Sequence, residues 1–286
     1  MRENTHMDPQ LMAVCNVTPD SFSDGGTHEA PPAERTQSAV NYAKQQVALG
    51  ATIIDVGGES TRPGAARVPQ AEEAARVVPV VAALLAEGIE VSVDTMNAAT
   101  ADACLQLGDV YINDVSGGLA DDQMLATVAK HDARYILSHW RGHSVVMNDL
   151  ATYDDTASEV LAELTQMRDR AVAAGIRAER IILDPGLGFA KDRDDNWAIL
   201  QHLDQFNSLG HPLLIGASRK RFTGALLAPD APVTDRDLPT AIISALCAER
   251  GVWGVRVHNT EATRVAFDIV RAWRNGHAAT RTQEGA

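Results

Sequence analysis

A chain of 286 residues that is 45% hydrophobic can bury a full core, and its length suits one complete barrel domain. Its formal net charge of -13, with no basic run or interleaved aromatic stripe, argues against a nucleic-acid partner and makes any anionic ligand depend on a few cations gathered in one pocket. Cys15, Cys104 and Cys247 have neither disulfide-framework nor metal-ligand spacing, Met1 to Gln10 holds no apolar signal region, and no apolar run approaches the roughly 20 residues that span a bilayer. A cytoplasmic protein with no membrane association is expected.

Short apolar runs predict strands at Leu11 to Cys15, Thr52 to Val56, Glu90 to Val93, Val110 to Asn113, Arg134 to Leu137, Arg180 to Leu183, Leu213 to Gly216 and Gly254 to Val257. Helical patterns fill the intervals. Gln70 to Glu87, for example, opens on Glu72 and Glu73 and then places Val77, Val80, Val81, Leu84 and Leu85 at helical spacing. Gly50, Gly88, Gly108, Gly175, Gly210 and Gly251 stand where a helix would end and return to the next strand. Eight such units predict an α/β fold, a closed parallel (β/α)8 TIM barrel, rather than a doubly wound open sheet. One domain is expected over residues 1–286, with its core at 11–274. The active site is expected at the C-terminal face of the strands, where the stretches after strands one, two, five and seven are long.

Polar residues collect at these strand ends: Asn16 and Asp20, Glu59 to Arg62, Asp94, Asn113 with Asp114, His139, Asp184, Ser218 to Lys220, and Arg256 with His258. Any one of them could cap a helix or satisfy a turn, but a surface scatter has no reason to gather at one end of eight strands. Asp94, Asn113 and Asp184 lie in or end apolar strands, so their side chains need donors to offset burial, and a ligand rich in N–H groups would supply them. Lys220, directly after an apolar strand, could face a carbonyl on that ligand. Arg256 and His258 are two apart, so strand alternation puts both toward the barrel mouth, and with Arg62 they form a small cationic site suited to diphosphate. The magnesium that accompanies diphosphate takes oxygen ligands, and the carbonyl-bearing side chain of Asn16 could provide one.

Two long segments carry a specific resemblance. Asn16-Val17-Thr18-Pro19-Asp20-Ser21-Phe22-Ser23-Asp24-Gly25-Gly26 and Asp55-Val56-Gly57-Gly58-Glu59-Ser60-Thr61-Arg62-Pro63-Gly64 resemble the first and second signatures of the dihydropteroate synthase family. Ser92-Val93-Asp94-Thr95, Ile112-Asn113-Asp114, Leu183-Asp184-Pro185-Gly186, Ala217-Ser218-Arg219-Lys220 and Arg256-Val257-His258 follow in the family's order, so the resemblance spans 11 to 273. Trp140-Arg141 is similar to the actinobacterial branch.

The resemblance implies an enzyme of folate biosynthesis that joins 6-hydroxymethyl-7,8-dihydropterin diphosphate to para-aminobenzoate and is a target of sulfonamides. It implies a pterin pocket of Asp94, Asn113, Asp184 and Lys220, with Arg256 stacking on the ring. Diphosphate contacts come from Asn16, Arg62 and His258, with Mg2+ at Asn16. The aminobenzoate site comprises Phe22, Thr61, Pro63, Phe189 and Ser218. Asp94, Asp184, Lys220, Arg256 and His258 carry the chemistry, and a homodimer is the expected assembly. Ser138 departs from the Met common at its position and Asn259 from the common Asp.

Competing readings are weaker on the residues. A non-catalytic pterin-binding paralogue should lack Lys220, Arg62 or Asn16, and all three are present. A cobalamin-dependent methyltransferase module needs a partner domain for which the chain has no room, and a Schiff-base aldolase gives Asp94, Asn113 and Asp184 no task. His139 and His143 have helical zinc-ligand spacing, but Gly142 between them favours a loop. Gly186-Leu187-Gly188 lacks the further glycine and opening helix of a dinucleotide fingerprint.

Overall fold

A computed structural model describes residues 8–18, 31–59, 68–142 and 149–277. In chain order it runs β1 (Gln10–Asn16), α1 (Pro32–Ala48), β2 (Ile53–Gly57), α2 (Gln70–Ala86), β3 (Val91–Asp94), α3 (Ala98–Leu105), β4 (Tyr111–Asp114) and α4 (Met124–Lys130). It continues with β5 (Arg134–Ser138), α5 (Thr156–Ala173), β6 (Ile181–Asp184), α6 (Arg193–Gln201), α7 (Leu203–Asn207) and β7 (Leu214–Ile215). The last elements are α8 (Arg221–Gly224), α9 (Asp237–Glu249), β8 (Gly254–Val257) and α10 (Thr260–Asn275).

All strand pairs are parallel, in the order β6-β5-β4-β3-β2-β1-β8-β7. The ring closes where Leu183 bridges Leu213 in parallel and its N–H donates to the Pro212 carbonyl at 2.9 Å. The chain is a (β/α)8 TIM barrel. β2, β3, β4 and β6 begin and end one residue later than the apolar runs suggest and β5 ends one later, so Asp94, Asp114, Ser138 and Asp184 are the last residues of their strands. Of the six helix-return glycines, Gly108 alone is absent from the left-handed region.

Strand alternation sorts the core into two clusters. Leu11, Ala13, Ile54, Val56, Val91 and Val93 face outward and pack on helix residues such as Val77, Val80 and Leu84. Met12, Ile53, Tyr111, Ile136, Ile182 and Leu214 face inward and fill the barrel with a separate apolar plug, against which Trp253 packs. Each such side chain contributes about 1.5–3 kcal/mol on burial, so the interior is a packed core rather than a channel. Beneath the plug, Arg134 lies 3.7 Å over the Tyr111 ring and bonds Glu90 at 2.5 Å.

The plug sets where chemistry can sit. Residues in phase with it and nearer the strand C-termini also point inward: Asn16, Asp55, Asp94, Asn113, Ser138, Asp184 and Arg256. Residues one step out of phase point away. Asp114 is one of these, and its fully buried carboxylate accepts from Ser116 N, Ser116 Oγ, Gly118 N and Tyr135 OH at 2.6–2.8 Å. Burial alone raises its pKa, and those four donors oppose the rise. It is a fastening of the β4 turn rather than a site residue.

Candidate active site

The inward polar layer is centred on Arg256. This guanidinium, on β8, donates from Nε to Asp55 Oδ2 at 2.5 Å and from Nη2 to Asp94 Oδ2 at 2.7 Å. Asn113 Nδ2 reaches the two oxygens of Asp55 at 3.3 and 3.2 Å. Two carboxylates therefore share one cation in a layer that lies beneath the cavity floor, with Arg256 and Asn113 above them. Burial, set against Arg256 and reinforced by the Asp55, Glu73 and Asp114 carboxylates, pushes the Asp94 pKa up to about 7. For Arg256, burial lowers the pKa but the two aspartates outweigh it, so the group stays charged.

On the opposite wall, Asp184 accepts from Gly186 N at 2.7 Å through Oδ1. Its pKa is raised by burial against the pull of Lys220. Lys220 donates to the Leu187 carbonyl, and its ammonium stands 4.7 Å over the Phe189 ring. Burial brings its pKa down to about 8, with Asp184 opposing and Arg256 adding. The loop after β6 must pass very close to this side chain. A Cβ on Gly188, at φ +75°, would lie 2.8 Å from Lys220 Cδ, and one on Gly186, at φ +68°, would lie 2.2 Å from the His139 carbonyl oxygen. Only glycine fits either position.

His258 and Ser218 form a third wall. The Ser218 hydroxyl accepts from His258 N at 3.1 Å and lies 2.9 Å from His258 Nδ1. The same hydroxyl therefore meets both the backbone and the ring of His258 and fixes the orientation of the imidazole at the cavity wall. Neighbouring Arg219, at φ +57°, is clamped by Asp237 at 2.6 and 2.8 Å. Asn259 donates to the same Asp237 at 3.1 Å while its Oδ1 caps α10 through Ala262 N at 3.0 Å. The departure from Asp at this position is thus accommodated: an amide serves both partners, whereas a carboxylate would repel Asp237.

These walls enclose a cavity of about 990 Å³, and Asn16, Asn113, Asp184, Lys220, Arg256 and His258 all line it. Ser218, Phe189 and the departing Ser138 line it as well, while Asp94 sits just beneath, under Arg256. Phe22, Thr61, Arg62 and Pro63, like His143, lie outside the described residues. His139 is turned away from the cavity and occupied at both ring nitrogens, by Lys191 at 2.8 Å and Glu163 at 2.9 Å. Asp55 and Lys191 also belong to this site, and the two differ in how far the sequence signals them. Asp55 is signalled by a charge in the middle of a fully buried strand, in phase with inward Ile53. Lys191 carries no such signal, because nothing in a loop sequence shows that its side chain folds inward.

The profile of the pterin binding enzyme family matches residues 12–258. A site built from carboxylates, an amide and a lysine at the mouth of a parallel barrel fits that class. The dihydropteroate synthase of Mycobacterium leprae is 47% identical over 269 residues, covering 92% of this chain and 93% of that protein. Two solved structures superpose closely. One is the Yersinia pestis dihydropteroate synthase in a sulfonamide drug complex (TM-score 0.86, 39% identity, covering 94% and 95% of the two chains). The other is the Xanthomonas albilineans dihydropteroate synthase in complex with 7,8-dihydropteroate (TM-score 0.82, 35% identity, 94% and 95%). The chain belongs to the dihydropteroate synthase family of pterin-binding enzymes.

Asp55 provides a direct check on how the layer works. Asp55→Ala frees one side of Arg256, and a charge-assisted hydrogen bond is worth about 1.5–3 kcal/mol. Calorimetry with a pterin analogue should therefore show affinity reduced at least about tenfold. Unchanged affinity would mean that Arg256 is held without Asp55.

Proposed function

We propose that the chain condenses 6-hydroxymethyl-7,8-dihydropterin diphosphate with para-aminobenzoate to give 7,8-dihydropteroate and diphosphate. The observation that carries this reading is the buried layer of Asp55, Asp94, Asn113, Asp184 and Lys220 around Arg256, because it presents acceptors on one side and an ammonium on the other. A pterin ring has the matching edges: an amino group and ring N–H along one, a carbonyl on the other. Asp184 and Asn113 meet the donor edge, Lys220 the carbonyl, and Arg256 covers the ring face.

The C–O bond between the pterin methylene and the diphosphate breaks, and the electron pair leaves with the diphosphate. The positive charge left behind spreads into the ring, where Asp94 and Asp184 stabilise it. His258, whose ring is oriented by Ser218 at Nδ1, and Arg62 bind the departing oxygens. The aniline nitrogen then forms the new C–N bond and loses its proton. Since the attacked amine becomes acidic, no strong base is needed, and catalysis is mainly electrostatic preorganisation. Phe22, Thr61, Pro63, Phe189 and Ser218 are proposed to hold the aminobenzoate, which also makes that site the target of sulfonamides.

A divalent metal fits this scheme as an escort of the diphosphate. Among the described residues no group of three His, Cys, Asp or Glu side chains could hold a metal, but Asn16 offers an amide oxygen to the cavity. One protein oxygen plus diphosphate and water suits Mg2+, which keeps much of its hydration shell, and the ion would neutralise leaving-group charge.

The assembly is proposed to be a homodimer. Leu238, Ile242 and Leu246 on α9 and Val265, Ile269 and Trp273 on α10 repeat at four-residue spacing and are 44–85% exposed, on two helices packed against each other. Such a stripe is larger than isolated surface apolar residues require, and a second copy of the same face covers it by symmetry. A reducing cytoplasm is supported by the three cysteines, which are all buried free thiols. No helix among the described residues is long and apolar enough to cross a membrane.

Purified protein supplied with the pterin diphosphate, aminobenzoate and magnesium should release diphosphate in a coupled assay. Asp184→Ala should weaken binary pterin binding at least about tenfold, whereas Thr61→Ala should leave it unchanged and raise the aminobenzoate KM. Absence of turnover would favour a non-catalytic pterin-binding paralogue. Ile269→Glu should convert the dimer to monomer in sedimentation analysis, and a dimer that survives it would place the interface elsewhere.

A further inference from the structure

Lys191 is buried, yet it belongs to no strand and has no part in the chemistry described above. Its Nζ donates to the Phe189 carbonyl at 2.9 Å and to His139 Nδ1 at 2.8 Å. Because Nδ1 accepts, the His139 proton lies on Nε2, which donates to Glu163 Oε2 at 2.9 Å. Arg141 holds Glu163 in turn, through Nε at 3.0 Å and Nη2 at 2.5 Å. The chain of contacts thus runs from the cavity, through a fully buried imidazole, to a half-buried carboxylate on α5.

The segment that Lys191 ties down is conformationally costly. Gly186, Gly188 and Ala190 are all left-handed, at φ 68°, 75° and 46°, and Ala190 has no glycine freedom to excuse it. Two further bonds pin the same loop: Tyr153 OH to the Ala190 carbonyl at 2.8 Å, and Gly188 N to Asn196 Oδ1 at 2.6 Å. What this shape provides is the Leu187 carbonyl under Lys220 and the Phe189 ring beside it. An apolar side chain could fill the volume of Lys191 without the penalty of burying an amine, but it could not satisfy the Phe189 carbonyl or reach His139.

We propose that Lys191 is a positioning residue: anchored on His139 and through it on Glu163, it holds the loop after β6 in the shape that presents the Leu187 carbonyl and Phe189 to Lys220. The inference rests on the synthase reading. The groups that bear electrostatically on Lys220 are Asp184, Arg256 and Lys191, and those that bear on Lys191 are Lys220, Asp184, Arg141 and Glu163. Burial brings Lys191 down to about 7 and His139 to about 4, so His139 is the neutral acceptor this geometry requires. Above pH about 7 a neutral Lys191 amine keeps N–H donors for the Phe189 carbonyl, so the anchor does not depend on its charge.

The test is Lys191→Met, with KM for each substrate and the pH profile of kcat/KM for the pterin diphosphate, run beside wild type. Wild type should lose activity above about pH 8 as Lys220 deprotonates. In the variant Lys220 loses its acceptor, so the pterin KM should rise at least about tenfold and the alkaline limb should move to lower pH by about half a unit or more. Unchanged KM values and limb, with only kcat reduced, would show a role in folding alone and overturn the proposal. A limb moved to higher pH would show simple charge repulsion between the two lysines and overturn it equally. Should Lys191→Met fail to fold, Glu163→Gln at the half-buried end of the chain replaces it, with a two- to threefold rise in pterin KM expected; no change there counts against the proposal. Absence of wild-type turnover removes the synthase reading and this inference together.

Discussion

A single guanidinium held between two buried aspartates organises this molecule. Arg256 can be charged inside the barrel only because Asp55 and Asp94 meet it at 2.5 and 2.7 Å, and they can be inside only because it is there. The apolar plug of Met12, Ile53, Ile136, Ile182 and Leu214 closes the barrel below this layer, so the ions cannot be hydrated from underneath. Any ligand that enters must finish the pairing from above. With Asp55 and Asp94 drawn onto Arg256, Asp184 and Asn113 are left lining the cavity, and a ring with a row of N–H groups can meet them. The site's preference is therefore set before the ligand arrives.

The same logic explains how a chain of net charge -13 can bind an anion. Its long-range field opposes the encounter, yet Lys220, Arg256 and His258 converge on one cavity. Each of these groups is supported by a different element. Arg256 rests on β2 and β3, Lys220 on the loop after β6, and His258 on the strand-end residue Ser218. Three supports of separate origin hold these donors in place within an acidic protein, which is what preorganised stabilisation of a leaving anion demands.

Much of this architecture is legible in the sequence, and the reasons are specific. A parallel strand buried on both faces needs a continuous apolar run, so all eight strands show themselves, and alternation within Arg256-Val257-His258 gives the correct facing for both polar residues. Asp94, Asn113 and Asp184 announce themselves as polar groups in apolar strands. Phase is the harder property. Asp114 and His139 also follow apolar runs, but they lie one step from the inward set and serve turns and helices instead. Lys191 was out of reach for another reason: its inward course depends on left-handed residues at 186, 188 and 190, and nothing local in a loop sequence fixes such a path. Asn259 is a case where departure from the family pattern becomes intelligible only with Asp237 in view.

The central claim is that ring recognition depends on an ionised Asp94–Arg256 pair facing a protonated Lys220. The most direct test is calorimetric titration of the wild-type protein with a pterin analogue that does not itself titrate, over pH about 6 to about 10. Burial has moved the two deciding groups toward each other, Asp94 up to about 7 and Lys220 down to about 8. Below the first, Asp94 takes up a proton and ceases to pair with Arg256; above the second, Lys220 loses its charge. The account predicts greatest affinity between these values, with a fall approaching about tenfold per pH unit on the alkaline side. An affinity that stays level across the whole range would contradict it.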